Sequence, residues 1–226
     1  MARKIIMVCG GKGGVGKSMV TMATLDRLAE SGTKVMLVET DTSNPDVHKC
    51  YGAEVPAHLV DLEAANGWVE LLNLCDAERE ATVVVNTRAA NNEGVRAYGE
   101  TLRGALSDLG RSLATFWVIN AQRDSVELLK AFLETVPDSE LHVVRNTYFG
   151  REEEFEAYNA SKTRGRVEER GGRSLTFPVL ASRVANDLYN KRLSIGRAFR
   201  DLPIGHRAEL RRWKNLVGQS LGQVVA

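Results

Sequence analysis

A glycine-rich stretch near the N-terminus has the residue types and spacing needed to bind phosphate. Gly11–Ser18 reads GKGGVGKS, which satisfies G-x-x-x-x-G-K-[ST], between an apolar run and an amphipathic stretch. Glycines let the backbone curl so that successive N–H groups point at phosphate oxygens, and a following helix adds the positive end of its dipole. Lys17 would supply charge to the terminal phosphates, and Ser18 a hydroxyl ligand for Mg²⁺. A chance match in a glycine-rich turn is the alternative, and the flanking pattern argues against it.

A carboxylate pair follows the next apolar run, at Glu39-Thr40-Asp41. Side chains at the C-terminal end of a parallel strand beside a phosphate loop face the ligand, so Asp41 is the expected acidic group next to the phosphates and the metal. Residues 42–45 read as a turn, and Asp41 as a cap of that turn is the alternative interpretation. Glu39 is a possible further site residue.

These candidates must be held by a regular alternation of strands and helices. Five apolar, β-branched-rich runs predict buried parallel strands at Lys4–Cys9, Lys34–Glu39, Ala81–Asn86, Leu113–Asn120 and Leu141–Arg145. Helix-length segments lie between them at Lys17–Ser31, roughly Ala57–Arg79, Glu93–Leu109 and Ser125–Val136. The alternation predicts an α/β fold, with residues 1–226 forming a single three-layer domain around a mostly parallel sheet.

Lys12 is an extra lysine inside the loop that the general phosphate pattern does not require. With it, the loop resembles that of the deviant phosphate-loop ATPases typified by the ParA and MinD proteins, which have a P-loop NTPase fold of the SIMIBI type. The resemblance implies ATP or ADP with Mg²⁺ as ligands, and a homodimer that forms on ATP binding. It also implies that Lys12 reaches the partner's nucleotide in trans. A solvated loop charge is the alternative for Lys12.

The resemblance continues at the ends of later strands. It implies that Asp41 positions the attacking water and the Mg²⁺ shell, and that Asn146 contacts the base, although a strand-terminating asparagine is the alternative. Where the family has a Walker B aspartate this chain has Asn86, an amide without net charge, which predicts slow hydrolysis. The catalytic candidates are Lys12, Lys17 and Asp41; the metal candidates are Ser18 and Asp41; Glu39 and Asn86 are possible additions. The nucleotide-binding candidates are Gly11, Lys12, Gly13, Gly14, Val15, Gly16, Lys17, Ser18, Met19 and Asn146.

Several downstream segments resemble one branch of this family, the TraL-like and StbC-like relatives encoded with plasmid conjugation and mobilisation genes. These segments are 146–150, 155–162, 177–180 and 192–195. What they imply is a role in plasmid transfer, mobilisation or partition, with proteins of those systems as partners.

Composition and residue spacing indicate the cellular compartment but do not identify a binding partner. Lys and Arg number 30 against 29 Asp and Glu, so the formal net charge is +1. The three cysteines, Cys9, Cys50 and Cys75, are too widely spaced for a zinc site or a disulfide framework, which fits a reducing cytoplasm. The four histidines show no metal spacing. No apolar run approaches the length of a bilayer, so export and membrane spanning are not expected.

The last third of the chain is basic. Residues 151–226 contain 15 Lys and Arg against 9 Asp and Glu, with clustering at Arg197, Arg200, Arg207, Arg211, Arg212 and Lys214. From residue 207 onward an apolar stripe at steps of three and four, namely Leu210, Trp213, Val217, Leu221 and Val224, predicts a terminal amphipathic helix. Three interpretations stay open: packing of the stripe on the sheet, sequence-independent DNA contact through phosphates, and reversible membrane association.

Together these features favour a slowly hydrolysing ATPase that switches partner binding by dimerising around ATP. Two other classes remain. One is a nucleotide-gated interaction module without turnover, which Asn86 favours. The other is a biosynthetic ligase resembling the dethiobiotin or cobyrinate enzymes, whose expected acid-binding pocket has no visible counterpart in the sequence.

Overall fold

Seven strands form one sheet in the computed structural model, which describes residues 3–89, 92–135 and 139–225. The strands are β1 (Arg3–Cys9), β2 (Val35–Glu39), β3 (Ala57–Leu59), β4 (Thr82–Asn86), β5 (Arg111–Ile119), β6 (Glu140–Asn146) and β7 (Ser174–Phe177). Their order across the sheet is β3-β2-β4-β1-β5-β6-β7, and every neighbouring pair is parallel. The predicted α/β fold with a parallel sheet is therefore confirmed.

Helices cover both faces of the sheet. They are α1 (Lys17–Glu30), α2 (Asp46–Tyr51), α3 (Ala65–Ala77), α4 (Asn92–Ala105), α5 (Arg123–Thr135), α6 (Glu156–Asn159), α7 (Lys162–Glu169), α8 (Ser182–Asn190), α9 (Ile195–Asp201) and α10 (Ile204–Leu221). Two short 3-10 turns, Thr147–Phe149 and Glu152–Glu154, follow β6. One core contains α1, α2 and α8 to α10, and the other contains α3 to α7. The result is a three-layer arrangement.

The central strands are apolar on both sides because each side of the sheet is covered. In β1, Ile6 and Val8 belong to the core under α1, whereas Ile5 and Met7 belong to the core on the opposite face. All five predicted strands are present, with ends within two residues of the predicted ones. The predicted α1 is also confirmed, since it begins at Lys17 and ends at Glu30.

The prediction of one helix over residues 57–79 is wrong in its first part. Ala57–Leu59 forms β3, an edge strand that pairs in register with the last three residues of β2. The helix begins only at Ala65 and ends at Ala77. A three-residue strand carries no periodic signal, so its pairing with β2 was not visible in the local pattern.

The remaining differences lie at element ends and in short elements. The helix predicted over 93–109 is helical only as far as Ala105, and turns continue to Gly110. The helix predicted over 125–136 begins two residues earlier, at Arg123, and its predicted end at Val136 lies outside the described residues. Strand β7 and helices α2 and α6 to α9 were not predicted individually. No helix in the described ranges combines the length and apolar character that a bilayer span requires.

Candidate functional site

The loop between β1 and α1 is shaped by glycines in left-handed conformations. Gly14 and Gly16 have φ angles of 74° and 104°, values that other residues rarely adopt. A Cβ atom at Gly16 would lie 2.3 Å from the side-chain nitrogen of Asn146, so a larger residue there would also meet the end of β6. Helix α1 starts directly after Gly16, with its free N–H groups at the loop. The backbone thus has the curl and helix position that phosphate binding requires.

Lys17 lies within this loop rather than in solvent. Its side chain is buried, and Nζ donates a hydrogen bond to the backbone carbonyl of Lys12 at 3.0 Å. Burial lowers the pKa of the Lys17 ammonium below its usual value, while the negative charges of Asp41 and Glu39 act to raise it. A buried cation beside free backbone N–H groups is an anion-binding arrangement.

The phosphate-side cavity is the space that the loop and the neighbouring strand ends enclose, with a volume of about 340 Å³. Seven predicted site residues line it together, namely Gly13, Gly14, Gly16, Lys17, Ser18, Asp41 and Asn86. Its other lining residues are Asn44, Asp46, Thr87, Ala89 and Tyr189. Asn44, Asp46 and Tyr189 were not predicted, because they come from the turn after β2, from α2 and from α8, and only the tertiary fold brings them to the loop.

Asp41 takes part in the turn that follows β2 while its side chain still lines the cavity. Its Oδ1 accepts hydrogen bonds from the Ser43 hydroxyl at 2.6 Å and from the Asn44 N–H at 3.0 Å. Partial burial acts to raise the pKa of Asp41, but these hydrogen bonds and the charge of Arg88 outweigh it and hold the pKa below the usual value. The turn-cap interpretation is therefore structurally correct, and it is compatible with a ligand-facing carboxylate.

Glu39 and Asn86 end two adjacent strands and are directly opposite each other in register. Asn86 Nδ2 donates to Glu39 Oε1 at 2.8 Å, and the Thr21 hydroxyl of α1 lies 2.8 Å from Asn86 Oδ1. Glu39 is fully buried, and its Oε2 has no hydrogen-bond partner in the described residues. Burial raises the pKa of Glu39 to about 7, although hydrogen bonds from Asn86 and from the backbone N–H groups of Asp41, Val47 and His48 oppose the shift. Asn86 thus separates a buried carboxylate from the cavity.

The donor set of the phosphate-side cavity fits a magnesium ion. Ser18 contributes a hydroxyl and Asp41 a carboxylate, and both are hard oxygen ligands of the kind Mg²⁺ prefers. Mg²⁺ keeps several waters and binds through one or two protein oxygens plus phosphate, so this small set is sufficient.

The base-side cavity is a second space, of about 200 Å³, on the other side of the same loop. Among the predicted residues, Gly14, Gly16, Met19 and Asn146 line it. The rest of its lining, which was not assigned a role from the sequence, comprises Tyr148, Phe149, Phe177, Pro178, Val179, Leu180, Ser182, Ala185 and Asn186. For those within 146–150 and 177–180 the only signal was that these segments carried the family resemblance, and Ser182, Ala185 and Asn186 had no signal in the sequence.

Asn146 ties β6 to the loop. Its Nδ2 donates to the Val15 carbonyl at 2.9 Å, and its Oδ1 accepts from the Tyr148 N–H at 3.1 Å. The side chain thus ends the strand and caps the following 3-10 turn, as in the alternative interpretation, and it also lines the base-side cavity. The predicted contact to a base stays a prediction.

Three predicted loop residues do not line either cavity. Gly11 packs against Leu128 of α5, where a Cβ atom would come within 2.5 Å of that side chain. Val15 is buried in the core. Lys12 turns toward α5, and its Nζ donates to Gln122 Oε1 at 3.1 Å and to Asp124 Oδ2 at 2.8 Å. Its predicted role in trans stays a prediction.

The terminal helix packs on the body of the protein. Leu210, Trp213, Val217 and Leu221 of α10 are buried in the α1-side core, which confirms the predicted stripe, and Val224 beyond the helix packs against it partly buried. Lys214 forms ion pairs of 2.7 Å with both Asp26 and Glu30 of α1.

Other basic residues of this region also have partners within the fold. Arg212 pairs with Glu209 at 2.7 Å, and the Arg211 guanidinium lies 5.8 Å from the ring centre of Phe199. Three of the clustered basic residues, Arg211, Arg212 and Lys214, therefore have partners within the fold, and DNA contact stays a prediction.

The cysteines and histidines do not assemble a metal centre in the described residues. Cys9, Cys50 and Cys75 are buried free thiols, and burial raises their pKa values to about 12, 11 and 11. The buried ring of His142 accepts the Arg173 N–H at Nδ1 and lies 3.3 Å from Glu140 at Nε2, and burial lowers its pKa.

The chain has a relative that matches it from end to end. It is 54% identical over 225 residues to "Protein MobD" of Acidithiobacillus ferrooxidans, which covers 100% of this chain and 99% of the relative. The chain belongs to the MobD family. Residues 1–69 of this MobD-family protein also match the ParA family model described as "NUBPL iron-transfer P-loop NTPase".

Two solved structures share the fold of this chain. The cell division protein MinD of Aquifex aeolicus superposes with a TM-score of 0.56 at 16% identity, over 92% of this chain and 95% of that one. The cell division protein FtsY of Thermotoga maritima gives a TM-score of 0.57 at 17% identity, over 78% of this chain and 62% of that one. The resemblance of this MobD-family protein to the ParA and MinD proteins is confirmed. Its membership of the TraL-like and StbC-like branch stays a prediction.

Proposed function

We propose that this MobD-family protein is an ATP-dependent switch. It binds ATP with Mg²⁺ at the Gly11–Ser18 loop, forms a homodimer in the ATP-bound form, and hydrolyses ATP slowly to return to the monomer. Its biological role is in plasmid mobilisation, conjugative transfer or partition, where proteins of the same system bind one nucleotide form in the cytoplasm.

One observation carries the nucleotide assignment: the phosphate-side and base-side cavities meet at the same two glycines. Gly14 and Gly16 line both. The first cavity presents Lys17, Ser18 and Asp41, which suit phosphates and a metal ion, and the second is lined by aromatic, aliphatic and amide side chains, which suit a base. A ligand that fills both cavities needs a phosphate chain at one end and a flat ring at the other, and a nucleotide has both.

Each residue of the phosphate-side cavity has a distinct part in the proposed reaction. The loop N–H groups and Lys17 bind the phosphates, and Asp41 orients the water that attacks the terminal phosphate. Ser18 and Asp41 would hold Mg²⁺, which when bound neutralises charge on the phosphate oxygens. Phosphoryl transfer of this kind depends on positioning and electrostatics more than on covalent steps.

Calorimetry tests the binding step. Wild-type protein, freed of copurified nucleotide, should release heat with ATP and Mg²⁺, and Lys17→Ala should weaken binding by about 100-fold because a charged hydrogen-bond donor to phosphate is lost. Lys34→Ala, at an exposed position before β2, is the matched control and should bind as the wild type does. Absence of binding by the wild type to both adenine and guanine triphosphates would reject the proposal.

Sedimentation tests the switch. The wild type should be monomeric without nucleotide and dimeric with ATP, whereas Lys12→Ala should keep monomer binding and lose the ATP-dependent dimer. If Lys12→Ala still dimerises with ATP, the trans role of Lys12 is wrong. In cells that carry the mobilisable plasmid, complementation with Lys17→Ala should fail to restore the transfer frequency that the wild-type gene restores.

A nucleotide-gated module without turnover is a second candidate, and Asn86 favours it. The residue at the end of β4 that faces the phosphate-side cavity is an amide rather than a carboxylate. Phosphate release measured with and without DNA, over times long enough to detect one turnover per hour, separates the two candidates. Release above the Lys17→Ala background supports the ATPase, and bound ATP that stays intact supports the module.

A further inference from the structure

We infer that Glu39 supplies, through the side-chain amide of Asn86, the negative charge that the β4 end of the phosphate-side cavity lacks. Glu39 would thus be a positioning residue for the nucleotide-bound Mg²⁺, although it does not line the cavity itself. This inference rests on the proposed function and adds to it a residue and a mechanism.

The first observation is the sheet register. Glu39 and Asn86 are the last residues of neighbouring parallel strands and are directly paired, so both stand at the edge of the sheet where ligands bind. Asn86 lines the phosphate-side cavity, and Glu39 stands behind it. The Asn86 amide thus lies between the Glu39 carboxylate and the cavity.

The second observation is that the buried Glu39 carboxylate has no ion pair among the described residues. The side chain is fully buried, Oε1 accepts hydrogen bonds from Asn86 and from the Asp41 N–H, and the backbone N–H groups of Val47 and His48 at the start of α2 also act on the carboxylate. A buried carboxylate without a salt bridge is costly, and glutamine would keep both accepted hydrogen bonds. Retaining the charge makes sense if it acts on something that binds nearby. Lys17, whose charge Glu39 influences, is part of the same cavity.

The third observation is the orientation of the Asn86 amide. Its N–H group points to Glu39 at 2.8 Å, and its oxygen is directed to the Thr21 hydroxyl. The opposite orientation would set the amide oxygen against an ionised carboxylate, so the network favours this one when Glu39 is ionised. A hydrogen bond from the amide N–H to a carboxylate increases the electron density on the amide oxygen, which still has a lone pair for a metal-bound water. The polarised amide oxygen is then a stronger hydrogen-bond acceptor for that water.

In the proposed arrangement the Glu39 carboxylate orients the Asn86 amide, and the amide oxygen in turn contacts a water bound to the metal. Groups behind the direct ligands of a metal commonly tune its affinity in this way, and their loss costs roughly 10- to 100-fold in metal affinity. Here Asn86 would contact the metal-bound water, and Glu39 would act on the metal only through Asn86.

The test measures how strongly Mg²⁺ and nucleotide binding depend on each other. A fluorescent ADP analogue is titrated into the full chain with Mg²⁺ and again with EDTA. Glu39→Gln should reduce the Mg²⁺-dependent gain in affinity by about 10-fold. It should leave the affinity in EDTA unchanged or higher, because a negative charge near the phosphates has gone. A structural defect alone would lower both affinities together, so an equal loss in both, or an unchanged Mg²⁺ dependence, would overturn the inference.

A charge swap provides the second variant. Glu39→Gln combined with Asn86→Asp moves the single carboxylate from β2 to β4 and should restore the Mg²⁺ dependence. Asn86→Asp alone places two carboxylates within hydrogen-bond distance and should lower the melting temperature more than the double variant does. If Glu39→Gln does not fold, the double variant decides alone: a wild-type Mg²⁺ dependence supports the inference, and a loss overturns it. A wild type that binds no nucleotide would instead reject the proposed function.

Discussion

The ammonium group of Lys12 lies 2.8 Å from the carboxylate of Asp124 in the same chain. This ion pair joins the phosphate loop to the first turn of α5, and Gln122 contributes a second acceptor. Helix α5 also packs against Gly11, so the loop contacts it at two adjacent residues. A lysine proposed to act on a partner's nucleotide is thus held by its own chain in this structure.

Breaking the pair should favour the dimer. Asp124→Ala removes the competing partner of Lys12, and because the ion pair is largely exposed we expect a modest gain, roughly 2- to 5-fold tighter ATP-dependent dimerisation. Glu127→Ala, one turn further along α5, is the matched control and should leave the dimer constant unchanged. Sedimentation at several protein concentrations measures both. A weaker dimer for Asp124→Ala would mean that Asp124 orients Lys12 toward the partner.

Removal of the Asp41 carboxylate should slow hydrolysis while nucleotide binding persists. Asp41→Ala leaves Lys17 and the loop N–H groups in place, so nucleotide affinity should fall by only a few fold, whereas loss of the water-orienting group should slow single-turnover phosphate release by about 100-fold or more. The ATP dimer should then persist. Asp46→Asn, which lines the same cavity, controls for a general change in charge. Equal slowing by both variants would contradict a specific role for Asp41.

The two left-handed glycines of the loop should differ in their tolerance of alanine. Gly14→Ala meets no atom within 4 Å and should cost about 1 kcal/mol of unfolding free energy through backbone strain alone. Gly16→Ala adds a 2.3 Å contact with Asn146 to a similar strain, and should cost about 2–4 kcal/mol. Urea denaturation of the nucleotide-free protein measures both values. Equal losses of unfolding free energy in the two variants would show that the Asn146 side chain moves away from the new methyl group without cost.

Lys214 should be the most important basic residue of the C-terminal part for stability. It and Asp26 are largely buried, so Lys214→Met leaves an unpaired carboxylate and should cost about 1–3 kcal/mol of unfolding free energy near neutral pH. Arg212→Met, which removes an exposed ion pair, should leave the stability nearly unchanged.

The same pair predicts a pH dependence. Burial raises the pKa of Asp26 above its usual value, and loss of Lys214 removes an opposing effect. Because the folded Lys214→Met variant then protonates Asp26 before the unfolded chain does, its deficit should shrink as the pH falls. Thermal unfolding between pH 7 and pH 4.5 measures this. A deficit that grows toward acid would contradict it.

The sequence was most informative where a motif and its flanking elements formed one local unit. The Gly11–Ser18 loop, β1 and α1 are contiguous, so their glycine spacing and hydrophobic pattern predicted both the elements and the cavity that Lys17 and Ser18 share. The terminal stripe was predicted for the same reason, since the period of three and four residues that defines α10 is local.

Relationships between distant segments could not be obtained in this way. The pairing of Glu39 with Asn86 depends on β2 lying beside β4, and strand order is a tertiary property. The partner of Lys12 depends on how α5 packs against the loop. The base-side cavity is assembled from β6, β7 and α8. Strand β7 is only four residues long, so no periodic pattern in the sequence predicted this strand.

The structure also changes the meaning of Asn86. Considered alone, an amide at this position predicts that Asn86→Asp raises turnover by restoring a carboxylate. With Glu39 hydrogen-bonded to it, the single change instead sets two buried acids against each other. A stimulated rate is therefore expected only when Glu39 becomes neutral at the same time.

Trp213 lies where the terminal helix meets the base-side cavity. Its indole N–H donates to the Pro178 carbonyl at 2.8 Å, and its ring stands edge-on to Phe177 with centroids 5.6 Å apart. Both of those residues line the cavity. Trp213 is thus a native optical probe one contact away from the cavity proposed for the base, and in a variant that has Phe in place of Trp68 and Trp117 its emission would report occupancy of that cavity without an attached label.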